Sequence, residues 1–162
     1  MAAFDLALPG RLDRRSGGTI YDRRVVEHLR GAGGEVGVHE MAGTYPLADS
    51  AAFASADAVL AGSRRPLVVD GLALPAFRLR ERTVSGIVAL VHHPLAEETG
   101  LAPGDADRLR AAERADLARV DGVVVTSAFT ARALAADYGV SADRIAVVPP
   151  GVDLPEGLVA DA

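Results

Sequence analysis

Ile87-Val-Ala-Leu-Val-His-His-Pro-Leu-Ala-Glu-Glu-Thr-Gly-Leu101 is the stretch that decides the fold. It opens as an unbroken apolar run, Ile87 to Val91, rich in β-branched side chains. Such a run, bounded by polar residues, predicts a strand buried on both faces of a parallel sheet. Pro94 has no N–H to give to a ladder and biases His93 towards extended geometry, so the strand stops there. His92 and His93 therefore stand at the carboxyl end of a central strand. That is the edge where open α/β sheets bind ligands.

Working outward, the chain alternates short apolar runs with helical segments. Phe4 to Leu8 is a first strand, followed by a polar loop from Pro9 to Gly18. Thr19 is the expected N-cap of the next helix, with Asp22 as an acidic partner in its first turn. Tyr21, Val25, Val26 and Leu29 give that helix its apolar stripe, and Gly31, Gly33 and Gly34 end it. Val36 to His39 is a second strand, Asp49 to Leu60 an Ala-rich helix, and Leu67 to Val69 a third strand ending at Asp70-Gly71. Leu72 to Arg82 is a further helical segment, interrupted early by Pro75. Beyond the central strand, Asp105 to Val120 is a helix and Gly122 to Val125 a fifth strand. Ser127 caps a helix that runs to Tyr138, and Ile145 to Val148 is the sixth strand. Residues 1–150 form one domain; 151–162 lack periodicity and read as an interdomain linker or tail.

About six strands alternating with helices define a Rossmann-like, doubly wound parallel α/β sheet with right-handed crossovers. The usual six-strand order, 3-2-1-4-5-6, places the first and fourth strands side by side. A crevice is then expected between the loop Pro9–Gly18 and the loop His92–Leu101, which brings the glycines to the histidines.

Composition excludes several classes. The 162 residues are 49% hydrophobic and 24% charged, a soluble globular balance for one domain. A net charge of −5 argues against a general nucleic-acid binder. The chain has no Cys, which removes disulfides and thiolate metal sites and fits a reducing, cytoplasmic setting. Every one of its 17 basic residues is Arg, so a Walker lysine is impossible. No apolar run approaches the roughly twenty residues of a membrane span, and no signal peptide is visible.

The motifs leave alternatives open. Ser16-Gly17-Gly18-Thr19 lies at a helix N-terminus, where free amides and the positive end of the dipole attract anions. It is equally a flexible connection with a cap, and the dinucleotide fingerprint G-x-G-x-x-G is absent. A neutral His at the crevice can exchange a proton or donate a hydrogen bond, or merely satisfy backbone groups. His92 and His93 face opposite sides and make a poor metal pair without further ligands. Ser127 and Asp70 complete a triad with a His on paper, without the G-x-S-x-G elbow of a hydrolase. Glu113 sits on the apolar stripe with Leu109 and Leu117, so it needs buried partners and reads as a structural hydrogen-bonding group beneath a loop. Arg78, Arg80 and Arg82 read as a solvated charge run. Arg11, Arg14 and Arg15, in the loop before the glycines, suit an acidic ligand.

These segments together resemble the N-terminal domain of glycosyltransferase family 4. The carriers are Ser16-Gly17-Gly18, Val25 to Val36, His92-His93-Pro94-Leu95, Glu113, Asp121 to Thr130, and Tyr138 to Asp153 with its Pro149-Pro150-Gly151-Val152-Asp153 segment. The resemblance implies one half of a GT-B fold in a retaining, nucleotide-sugar-dependent transferase without cofactor or metal. It implies that Gly17 and Gly18 approach the donor diphosphate. It places an active-site histidine at His93, taken ahead of His92, and acceptor-side groups at Asp70, Thr126 and Ser127, with Arg15 shaping that side. It implies a partner, too: a donor-binding C-terminal half, absent here, without which the chain is expected to be inactive on nucleotide-sugar donor and acceptor. The alternative is a non-catalytic binding or regulatory module on the same scaffold.

Overall fold

The computed structural model describes residues 2–81, 85–102 and 104–152, apart from the side chain of Arg80. It is a six-stranded, wholly parallel sheet. The strands are β1 (Ala3–Pro9), β2 (Glu35–Met41), β3 (Leu67–Asp70), β4 (Ile87–Val91), β5 (Gly122–Val125) and β6 (Ile145–Val147). The helices are α1 (Gly17–Gly31), α2 (Ser50–Gly62), α3 (Asp105–Leu117) and α4 (Ala128–Asp137). The α/β class and the central run are as the sequence predicts. Of the interdomain segment, residues 153–162 lie outside the described residues, as does Arg82.

Strand order departs from expectation. It is β2-β1-β3-β4-β5-β6, so β3 lies between β1 and β4 instead of at the edge. The register fixes this, with Ala7 beside Val69 and Val69 beside Ala89. Leu67 and Val69 pack with Ala52, Ala56 and Val59 of α2 in the main core. Small side chains on α2 let it lie close over the sheet, which suits a crossover that returns past β1. The direction of winding therefore reverses between β1 and β3, and the crevice belongs there.

Alternation along the strands divides the interior in two. Ala7, Val69, Ala89, Val91, Val123 and Val125 face α2, Leu117 of α3 and Leu134 of α4. Leu6 and Leu8 face Val26 of α1, with Val36 beside them. Burying both faces explains why the central strands read as continuous apolar runs.

Leu72–Arg82 is a second correction. It forms two short 3₁₀ turns, Leu74–Phe77 and Leu79–Glu81, where a helix was expected. Pro75 stands in the opening turn, and Arg78 ends it in the left-handed region at φ 50°. Such tight turns rarely extend. Leu74, Ala76 and Phe77 are fully buried, so the segment fills the core. Arg78 is not part of a freely solvated run either. Its guanidinium lies 4.9 Å over the Phe53 ring and 3.2 Å from Asp57.

Candidate functional site

The start of α1 also differs from expectation. Ser16, not Thr19, is the N-cap, and its Oγ accepts the Thr19 amide at 3.2 Å. The Ile20 amide is taken by the Ser16 carbonyl. A helix leaves its first amides without intrahelical acceptors, which here means those of Gly17 and Gly18. With the helix beginning three residues earlier, Asp22 lies past its first turn, on the inward face. It caps nothing; it is fully buried beneath His92.

Those elements meet at the carboxyl edge of the sheet around a cavity of about 520 Å³. Pro9, Arg14, Ser16, Gly17 and Gly18 line it from the β1–α1 side, and Asp70 and Gly71 from the end of β3. His92, His93 and Glu98 come from the segment after β4, and Thr126 from the end of β5. The two loops expected to converge do so even though β3 separates their strands. The reason is the length of the β1–α1 loop, which carries the helix start across β3 to β4. A Cβ built on Gly18 would lie 3.0 Å from His92 Cδ2 and 3.2 Å from Nε2.

The two histidines differ. The side chain of His93 is 48% exposed, with Nε2 2.6 Å from Glu98 Oε1. That of His92 is 17% exposed, with Nε2 3.3 Å from Asp22 Oδ1 and 3.8 Å from Asp70 Oδ2. Tyr21 stands edge-on to the His92 ring at 5.4 Å, and its hydroxyl donates to the Val148 carbonyl. The His92 carbonyl accepts from the hydroxyls of Thr126 and Thr130. Backbone and ring are thus both held.

Charge is concentrated under that ring. Burial and the Asp22 carboxylate push the Asp70 carboxyl up to about 7, although His92 and the Leu72 amide, which donates to Asp70 Oδ1, pull it down. Burial alone would lower the His92 imidazolium, but Asp22 and Asp70 outweigh it and raise it above its usual value. Asp22, Asp70 and His92 each offer one ligand atom within 4.8 Å of the others, the spacing of a small cation site. Their contacts equally satisfy a protonated imidazole between two acids.

The remaining expected residues fall into place unevenly. Ser127 caps α4 by accepting the Thr130 amide and does not line the cavity. Arg15 is exposed and off the cavity wall, where Arg14 stands instead. Arg11 is engaged by Asp13 at 2.7 Å.

A sequence model of Glycosyltransferase Family 4 matches residues 47–156. The chain belongs to glycosyltransferase family 4. The family 4 match takes in the histidines, Asp70, Glu113 and Thr126, while the glycine turn precedes it. Comparison with curated proteins gives no match.

Asp22, Tyr21 and Glu98 had no place in the sequence-based site. Asp22 was legible in principle. It lies four residues before Val26 on the buried stripe of α1, the same anomaly that singles out Glu113.

Glu113 of α3 is fully buried and its Oε2 accepts the Leu95 amide at 2.9 Å. It thereby ties down the turn immediately after His93-Pro94. Burial lifts its pKa to about 7, against the Leu95 amide and Tyr138, which pull it down. The folded chain therefore holds a proton that the unfolded chain, with its ordinary value of 4.5, releases. Stability from this group is full below about 4.5 and is lost as pH rises towards 7. Asp70 acts in the same direction. Glu113→Gln keeps an acceptor for Leu95 without the titration. Denaturant unfolding between pH 5 and 7 is expected to show a shallower loss in the variant, by on the order of 1 kcal/mol per pH unit. Equal slopes in both proteins would count against this account.

Proposed function

We propose that this domain is the acceptor-side half of a retaining glycosyltransferase that moves a sugar from a nucleotide-sugar donor to a small-molecule or glycan acceptor. In this reading a second, donor-binding half holds the nucleotide, and the chain is inactive without it. The observation that carries the reading is the convergence of the glycine turn and His92 on one cavity in a family 4 chain.

The chemistry follows from the groups present. Departure of the sugar leaves negative charge on a diphosphate and positive charge at the anomeric carbon. Gly17 and Gly18 amides, backed by the dipole of α1, face the first of these. Absence of a Cβ lets phosphate oxygens come close. We assign the active-site imidazole to His92, which is packed on three sides, and give the exposed His93 the secondary place. Asp70, Thr126 and Arg14 form the acceptor side. A retained configuration needs the acceptor on the face that the diphosphate leaves, so a single cavity for both fits that outcome. A cytoplasmic setting completes the proposal, in keeping with the cysteine-free composition.

The test is amide NMR of the chain titrated with inorganic pyrophosphate and with nucleoside diphosphates. The expected result is saturable movement of the Gly17, Gly18 and Thr19 amides together with the His92 ring. Saturable movement confined to residues away from this cavity would contradict the assignment.

A further inference from the structure

We infer that Asp22 is a positioning residue for transfer: through Nε2 it fixes the ring of His92 and keeps a proton there, leaving Nδ1 to meet the ligand. This rests on the function proposed above and names a part of the same site.

The geometry is one-sided. Nε2 of His92 lies 3.3 Å from Asp22 Oδ1, inside the protein, and 3.8 Å from Asp70 Oδ2. Asp22 has no accessible surface. Neither of its carboxylate oxygens, nor Nε2, meets an aligned hydrogen-bond partner among the described residues, so the 3.3 Å approach is a close ion-pair contact. An isolated buried carboxylate is very costly. The imidazole is thus the nearest cationic partner of Asp22, and a lone pair on Nε2 would face the Asp22 carboxylate and repel it. Nε2 must carry the proton. The other ring nitrogen, Nδ1, is then free to accept in the neutral ring or to donate in the imidazolium.

The groups around the ring can all be named. From α1 come Asp22 and Tyr21, and from the end of β3 comes Asp70. Across the cavity stand Arg14 and the His93–Glu98 pair. Asp70 is already engaged by the Leu72 amide. Asp22 is the fully buried acid and the one nearer to Nε2, which is why the positioning role falls to it.

The test is ¹⁵N and ¹H NMR of the histidine rings across pH, in the wild-type chain and in Asp22→Asn, with His92 assigned by comparison with His92→Gln. In the wild type, Nε2 is expected to stay protonated at high pH while Nδ1 titrates. Asp22→Asn is expected to lower the His92 midpoint by about one pH unit, a tenfold loss of proton affinity. In an enzyme carrying both halves, the same variant is expected to reduce kcat ten- to a hundredfold with little change in acceptor KM. It should also move the alkaline limb of the rate profile down. An unprotonated Nε2 in the wild type at pH 8 would overturn the inference without any variant. So would an unchanged midpoint in Asp22→Asn. Saturable shifts of His92 on adding Mg²⁺, Mn²⁺ or Zn²⁺ alone would replace it with a cation site. These ring measurements need no turnover. Success there with no transfer would strike the proposed function, and the reverse would strike only the role of Asp22.

Discussion

His92→Ala is expected to abolish sugar transfer by a protein that joins this domain to a donor-binding half. The loss expected is about 10²–10⁴-fold in kcat, the range for removing a positioned proton-bearing group. The ring is held by Asp22, Asp70 and Tyr21, and the backbone carbonyl of the same residue by Thr126 and Thr130. No neighbour has the reach to replace it. Removing it also takes the imidazole from fully buried Asp22 and leaves it beside Asp70. The variant should therefore be less stable, by about 1–3 kcal/mol at pH 8, as expected for a buried group that loses its partner. Circular dichroism and denaturant unfolding separate this from misfolding. His93→Ala, at a half-exposed site, should cost less than tenfold. Near-normal transfer by His92→Ala, with loss in His93→Ala, would move the role to the neighbour.

The second large effect belongs to Gly18. An added methyl would sit 3.0–3.2 Å from the His92 ring, closer than ordinary contact. The ring can give only slightly, because fully buried Asp22 lies behind it. Gly18→Ala should then shift the ring by a few tenths of an ångström and lower transfer roughly 10–10²-fold. Stability should change by less than about 1 kcal/mol, since Ala is the better helix former. Gly17→Ala is the control. Its Cβ meets nothing within 4 Å, so the His92 ring resonances should stay where they are. Any loss of transfer in that variant reports crowding of the ligand itself. Wild-type rates in Gly18→Ala would show that ring position is not the sensitive coordinate.

How much of this could be read beforehand differs by element. Ile87–Val91 and Gly122–Val125 declare themselves because burial on both faces removes polar residues from the strand. Strand order does not. Nothing local to Leu67–Asp70 records on which side of β1 it settles, since that depends on how α2 packs across the sheet. Leu72–Arg82 has helical spacing because its apolar side chains are core filling, and Pro75 with Arg78 then closes it into short turns. The convergence of Gly18 and His92 survived the wrong strand order. The loop after β1 is long enough to cross one extra strand.

Within the site, the histidine pair was visible but its division of labour was not. Adjacent residues at a strand end point different ways, and only the packing of α1 says which of them turns inward. Asp22 was hidden by a three-residue error in the helix start. With Thr19 as cap it belongs to the first turn; with Ser16 as cap it falls on the buried stripe. Glu113 was easier because Leu109 and Leu117 flank it at helical spacing, and its partner is the amide of Leu95.

The most direct measurement is turnover of a panel of nucleotide sugars by the chain alone and by the same chain joined to a donor-binding half. The account predicts no transfer from the first and transfer from the second, lost again in His92→Ala. Turnover by the isolated chain at the rate of the joined enzyme would contradict it.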